Sequence, residues 1–333
     1  MNKRIDIIDA LKGFAILLVV LGHAIQYKYT ATAFDENVVF RVIYSFHMPM
    51  FMFLSGLVAY YSFEMPVYPY LKKKFMALAV PFLAWFALAY FATGTYHTIA
   101  LKSYIWRMLL SPDYGLWFLW VLFLNFCFLV VTVRMEKGLG LLAYPMMILF
   151  VLWTPFGFLG LGLAKVHFVY FTIGYLVMKY KEQLKEYFVW AQMLAMLAFP
   201  ILVSQWHRTR GFSFLPGMMG WFASHRIPFV ASLLAYAFPI LLALSGIMVS
   251  YILVHYIIKN SLFYSSLCKL GNYTLDIYVS HQYFLWGIGL GVTHVFTAAG
   301  EALLISLLLS YFILRRIKIL NLLFLGNRAK AMA

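Results

Sequence analysis

Asp9, Lys12 and His23 lie in DALKGFAILLVVLGHAIQY, residues 9 to 27, a stretch that is otherwise nearly all hydrocarbon. A segment that served only as an anchor would carry none of them, because an ionisable side chain at the bilayer centre costs roughly 2.5–3.5 kcal/mol on insertion scales. Asp9 and Lys12 stand at i and i+3, where helix side chains meet and can pair. Lys12 and His23 are separated by close to three whole helical turns, which puts both on one face about 16 Å apart along the axis. The three form one polar stripe, ion pair at one end and imidazole at the other. A lysine can also snorkel to the interface, and a histidine can sit at the membrane surface bonded to backbone. Alignment of all three is harder to explain in those terms than any one alone.

Further ionisable groups recur in apolar surroundings. YSFHMPMFMFLSGLVAYY carries His47, followed by Pro49, which frees a backbone carbonyl nearby. In the same stretch Ser55 and Gly56 allow a second helix to approach closely, and the Ser55 hydroxyl is a candidate nucleophile or substrate contact. GNYTLDIYVSHQYF carries Asp276 and His281, about 140° apart around an ideal helix, so they make no dyad. Asp276 is expected either to pair with a base on another helix, such as Lys12 or Lys74, or to sit at the inner interface near the start of its span.

Lys72, Lys73 and Lys74 mark an inner helix end. They read either as ordinary cytoplasmic positive charge or as a phosphate-binding patch at a cavity mouth. Trp117 and Trp120 read first as interfacial anchors. The connection QWHRTRGFSFLPGMMGWFASHRIP, residues 205 to 228, reads either as an interfacial aromatic loop or as a rim that stacks on a sugar, with Trp206 and Arg208 as its candidate contacts.

The elements that must carry these residues follow from composition. The chain is 64% hydrophobic and only 11% charged, with a mean hydropathy of +0.85. Soluble domains average about 45–50% apolar and about 25% charged. Apolar runs of membrane-spanning length recur throughout, which predicts an all-α polytopic membrane protein with no separate soluble domain, one membrane-embedded domain over 1–333. About ten spans are expected, near 5–27, 38–62, 72–93, 115–134, 139–155, 162–180, 187–204, 229–257, 273–292 and 297–319. The first carries charges, is long and lacks a small-residue cleavage site, so it reads as a span and not as a removable signal peptide.

With the N-terminus in the cytoplasm, 18 of the 26 Lys and Arg fall at inner ends and loops, from Lys3 and Arg4 to Arg328 and Lys330. Both termini are therefore expected to be cytoplasmic. The same rule accounts for the net charge of +15 without nucleic acid. Cys127 falls in an apolar run and Cys268 in an expected short loop, with no disulfide or metal pattern. No phosphate-binding glycine loop is present.

Four stretches, DALKGFAILLVVLGH, FHMPMFMFLSG, GLWFL and LGNYTLDIYVSH, resemble the membrane acyltransferase family three, most closely its fucose and O-antigen O-acetylase branch. The family's pattern is an arginine, ten residues and a histidine. Here Lys12 stands for the arginine, keeping the charge but losing bidentate phosphate binding, and His23 is the histidine. The family's Arg-x-x-Arg before the proline of the third span is reduced here to Lys74 and Ala77, ahead of Pro81.

The resemblance implies a bacterial inner-membrane enzyme that transfers an acetyl group from cytoplasmic acetyl-coenzyme A, a substrate and not a bound cofactor, to a hydroxyl of a surface polysaccharide or lipid-linked sugar. His23 would be general base, or would carry the acyl group itself, with His47 and His281 orienting it, shuttling the proton or holding the oxyanion. Asp9 belongs to the same catalytic stripe. Lys12, Lys72, Lys73, Lys74 and Asp276 would attend the donor, and Ser55, Trp117, Trp206 and Arg208 the acceptor. No metal is expected. The alternative is a transporter or flippase for a glycan or lipid-linked intermediate, against which stands the lack of a visible internal repeat.

Overall fold

Long apolar runs without water to satisfy their amides have to close their hydrogen bonds internally, and here they do so as helices. In a computed structural model that describes residues 6–29, 33–62, 66–110, 112, 116–225, 227–288 and 294–327, 87% of those residues are helical. The helices are α1 (Asp6–Lys28), α2 (Val38–Tyr60), α3 (Val67–Ala92), α4 (Leu101–Leu110), α5 (Trp117–Leu139), α6 (Ala143–Trp153), α7 (Leu161–Lys179) and α8 (Phe188–Ser204). A two-stranded hairpin, β1 (Trp206–His207) and β2 (Gly211–Phe212), precedes α9 (Leu215–Ser224), α10 (Pro228–Ile252), α11 (Leu262–Asn272), α12 (Thr274–Ile288), α13 (Val295–Leu309) and α14 (Lys318–Leu325).

Among the described residues, eight stretches are long and apolar enough to cross a membrane, and the chain is an all-α polytopic membrane protein. The expected fourth and fifth spans run together as Trp117–Trp153. The expected ninth is a helix of 15 residues, Thr274–Ile288. At 1.5 Å per residue it is shorter than a hydrocarbon core of about 30 Å, and residues 289–293 of that expected span lie outside the described ones. Lys3, Arg4, Arg328 and Lys330 likewise lie outside the described residues. Cys268 is not in a loop but in α11. The polar residues flanking that short helix had hidden it.

The chain divides into two compact units. The first holds residues 1–51, 180–274 and 281–304. Within it α1 packs along α11 so closely that a Cβ on Gly13 would stand 2.0 Å from the Leu267 carbonyl oxygen, and one on Gly271 2.1 Å from that of Asp9. Only glycine fits such a backbone approach. Helix α8 packs on α10. Ile25, Phe40 and Ile43 form a buried cluster under Leu18, Leu21, Phe34, Tyr44 and Val295.

The second unit holds residues 52–179, 275–280 and 305–333. There α5 packs on α6 and α7. The expected close approach at Gly56 is present: a Cβ there would lie 2.0 Å from the Phe171 carbonyl oxygen, and one on Gly174 2.1 Å from that of Phe53. The Trp85 indole N–H donates to the Phe324 carbonyl at 2.9 Å, tying α14 to α3.

Candidate functional site

In the first unit, His23 on α1 meets His281 on α12, and the Tyr44 ring links His23 to His47 on α2. His23 Nδ1 lies 2.9 Å from His281 Nε2, and the two rings are parallel to within 4° with centroids 5.1 Å apart. His281 is fully buried and His47 is 3% exposed, while His23 is half-buried. The Gln282 amide sits 3.2 Å from the same His23 nitrogen. One proton on that edge therefore has two neighbours that can accept or donate, and the tautomer follows from the network. If His23 carries its proton on Nδ1 and donates it to His281, Nε2 keeps its lone pair and is the basic edge.

Tyr44 bridges His23 and His47. Its ring is 6.3 Å from that of His23 and 4.6 Å, edge-on, from that of His47. Its hydroxyl donates to Gln26 Oε1 at 2.8 Å. His47 Nδ1–H donates to the Ile43 carbonyl at 2.9 Å, which leaves its Nε2 as the acceptor edge. Helix spacing explains the grouping: Tyr44 and His47, like His23 and Gln26, are i, i+3 neighbours. Pro49, inside α2, withholds an N–H from the carbonyl four residues back, as its position predicted.

A basic loop lies over this cluster. The Arg208 guanidinium carbon is 4.7 Å from the Tyr44 ring centroid, within cation–π range. Arg208 sits at the turn of the β1–β2 hairpin, in which Trp206 pairs with Phe212 and His207 with Gly211. The expected irregular connection 205–228 is thus a hairpin followed by helix α9; Gly211, at φ +72°, permits the tight return. Asp35, in the connection between α1 and α2, accepts the Arg208 and Thr209 backbone N–H groups at 2.9 Å each and the Thr209 hydroxyl at 2.5 Å. Burial works to raise its pKa, but the Thr209 hydroxyl, the two amides and the neighbouring His207 outweigh that and hold the carboxyl below its ordinary value. Arg41 Nη1 donates to His207 Nε2 at 3.3 Å, and Arg210 pairs with Glu36.

The remaining expected residues of this unit are Asp9 and Lys12, paired at 4.0 Å on α1 as their spacing required. Trp206 is half-buried in the hairpin.

The second unit holds the other candidates. Asp276 is fully buried, and its partner is neither Lys12 nor Lys74 as expected but Arg315, whose Nε and Nη2 donate to Oδ2 and Oδ1 at 2.7 and 3.1 Å. The Ser310 hydroxyl also donates to it. A π-helical stretch, Ser310–Leu314, presents both partners to the carboxylate. With its oxygens so engaged, Asp276 is one half of a buried ion pair, and Arg315 had looked like one more positive-inside charge. Lys72, Lys73 and Lys74 are not at a helix end. They lie inside α3, ahead of a π turn at Phe75–Ala79, because Val67–Tyr70 already continues the helix. Lys72 and Lys73 are exposed, and Lys74 Nζ stands 3.9 Å from the centroid of the Phe126 ring. Ser55 is half-buried beside the Gly56 crossing. The Trp117 ring lies 4.8 Å, tilted by 53°, from that of His167, a buried imidazole not foreseen from sequence.

Sequence reasoning also missed Tyr44, Gln26, Gln282 and Asp35. A signal existed for the first three, each within one helical turn of a candidate histidine. For Asp35 the signal was a pair of adjacent acids, Asp35 and Glu36, in a short connection. Among the described residues no group of His, Cys, Asp and Glu could hold a metal ion.

Comparison with known proteins gives consistent matches. A family model described as an acyltransferase domain matches residues 5–315. Nodulation protein NolL of Mesorhizobium japonicum is 32% identical over 149 residues, which are 41% of this chain and 38% of that protein. NolL of Sinorhizobium fredii is 46% identical over 61 residues, 17% of this chain and 16% of its own. The chain therefore covers well under half the length of the curated relatives it matches. No solved structure matches.

Proposed function

From a chain that belongs to acyltransferase family three, we propose the activity of moving an acetyl group from cytoplasmic acyl-coenzyme A to a hydroxyl of a surface polysaccharide or lipid-linked sugar. Acyl transfer is the family's chemistry; the donor, the acceptor, a bacterial inner-membrane location and ten spans with both termini cytoplasmic belong to the proposal. The observation that carries it is the His23–His281 pair beside Tyr44, on whose ring Arg208 rests, so that imidazoles and a cation share one site.

In this reading His23 Nε2 takes the proton of the acceptor hydroxyl as its oxygen attacks the thioester carbonyl. The C–S bond breaks, the ester C–O bond forms, and the proton passes to the departing thiolate. His281 holds the His23 ring in the required tautomer, as a second group does for other base-activated nucleophiles. His47 lies near enough to the same ring system to meet negative charge developing on the carbonyl oxygen. Lys12, Lys72, Lys73 and Lys74 supply positive charge for the donor's phosphates, as point charges and not as bidentate forks. Ser55, Trp117, Trp206 and Arg208 remain candidate acceptor contacts.

The test is mass spectrometry of surface polysaccharide from cells with the gene, without it, and with His23→Ala at normal membrane levels. The expected result is one acetyl mass per modified unit only with the wild-type chain. Full acetylation by the His23→Ala chain refutes the assignment. Purified protein in liposomes separates the carrier alternative, since glycan movement without acetyl-coenzyme A would establish transport.

A further inference from the structure

The hairpin that carries Arg208 has little intrinsic reason to hold still. Each strand has two residues, and an isolated two-stranded ribbon is marginal in water. Phe212 pins the second strand, 3% exposed and against Phe214 and Phe238 at 5.3 and 5.8 Å between centroids. Nothing apolar pins the turn, where residues 208 to 210 are exposed. What meets the turn is Asp35. Its carboxylate is 1% exposed and spends its acceptor capacity on the chain of residues 208 and 209, not on the nearby guanidinium groups. Charge-assisted bonds to backbone N–H are short and directional, and a pair of them fixes the peptide plane from which the Arg208 side chain departs. The far end of that side chain rests on Tyr44, beside His23 and His47.

We infer that Asp35 is a positioning residue: by clamping the backbone of Arg208 and Thr209 it sets the Arg208 guanidinium over the histidine cluster, where it receives the acceptor. The part concerning acceptor binding rests on the proposed acyl transfer; the clamp itself does not. Arg41–His207 and Arg210–Glu36 are secondary ties, each to a flexible side chain, whereas Asp35 alone among the described groups bonds the turn's backbone through a carboxylate.

The test uses the full chain in native membranes or detergent. Asp35→Asn keeps the shape but removes the charge and turns an amide N–H₂ toward a donor. Thr209→Val, a milder change, removes only the hydroxyl bond. In the first arm, amide hydrogen exchange of the 206–212 segment is expected to speed up at least tenfold in Asp35→Asn and less in Thr209→Val, with the remaining segments unchanged. Unchanged exchange in Asp35→Asn overturns the clamp whether or not any acyl transfer can be measured. In the second arm, acetyl transfer to polysaccharide is followed against acceptor concentration. Asp35→Asn and Arg208→Ala are each expected to raise acceptor KM about tenfold with kcat within about twofold, and the double variant to be no worse than Arg208→Ala. A further tenfold rise in the double variant means that Asp35 acts independently of Arg208 and overturns the positioning role. Loosened exchange in a chain with no transferase activity in any form leaves the clamp standing and removes the proposed reaction. Should Asp35→Asn fail to insert, Thr209→Val carries both arms, with unchanged exchange and unchanged KM as the overturning result.

Discussion

His281 offers the most informative perturbation, because what it contributes can be bounded from its surroundings. Its ring is fully buried, and its Nε2 meets His23 Nδ1 at 2.9 Å. His281→Ala strips a buried polar edge of its partner, a loss of about 1–3 kcal/mol, or roughly 5–150-fold in rate if the bond matters in the transition state. The Gln282 amide, 3.2 Å from the same nitrogen, can cover part of that loss, which favours the lower half of the range. His281→Gln can restore a hydrogen-bonding atom near the Nε2 position and is expected to recover most of the activity. His23→Ala removes the base itself and is expected to cost about 10²–10⁴-fold. Groups that act as one device are not additive, so the double variant His23→Ala/His281→Ala should be no slower than His23→Ala. The assay is transfer of labelled acetyl from acetyl-coenzyme A to polysaccharide in membrane vesicles, with protein level normalised and kcat separated from KM. The reasoning fails if the double variant multiplies the two losses, or if His281→Ala leaves kcat untouched.

Two further outcomes follow from the same contacts. Arg315→Met leaves the fully buried Asp276 carboxylate without its guanidinium partner and should lower stability by about 3–5 kcal/mol, whereas Asp276→Leu/Arg315→Met should return close to wild type; equal unfolding midpoints for single and double variants in detergent would contradict this. The lowered pKa of Asp35 means that its clamp is fully present above the unfolded-state value of 3.8 and is lost as pH falls through the still lower folded-state value. The difference in 206–212 exchange between wild type and Asp35→Asn should accordingly stay flat from neutral pH down to about 5 and vanish only below the unfolded-state value of 3.8; a difference that fades near neutral pH would contradict the carboxylate clamp.

Much of this protein was legible in one dimension. Hydropathy alone fixed the class, because a backbone in lipid has so few ways to satisfy its amides. The i, i+3 rule paired Asp9 with Lys12, the 100° step separated Asp276 from His281, and the small residues at Ser55 and Gly56 announced a close crossing. Each of those statements concerns a single helix, whose geometry is local. What the tertiary structure decided is how helices are rotated and which chain ends meet. It brought His281 rather than some other group to His23, gave Asp276 to Arg315, and laid a hairpin anchored by Asp35 across Tyr44. Sequence spacing carries no information about such partners when they stand 258 or 173 residues away, since only packing of one helix face against another sets the distance between them.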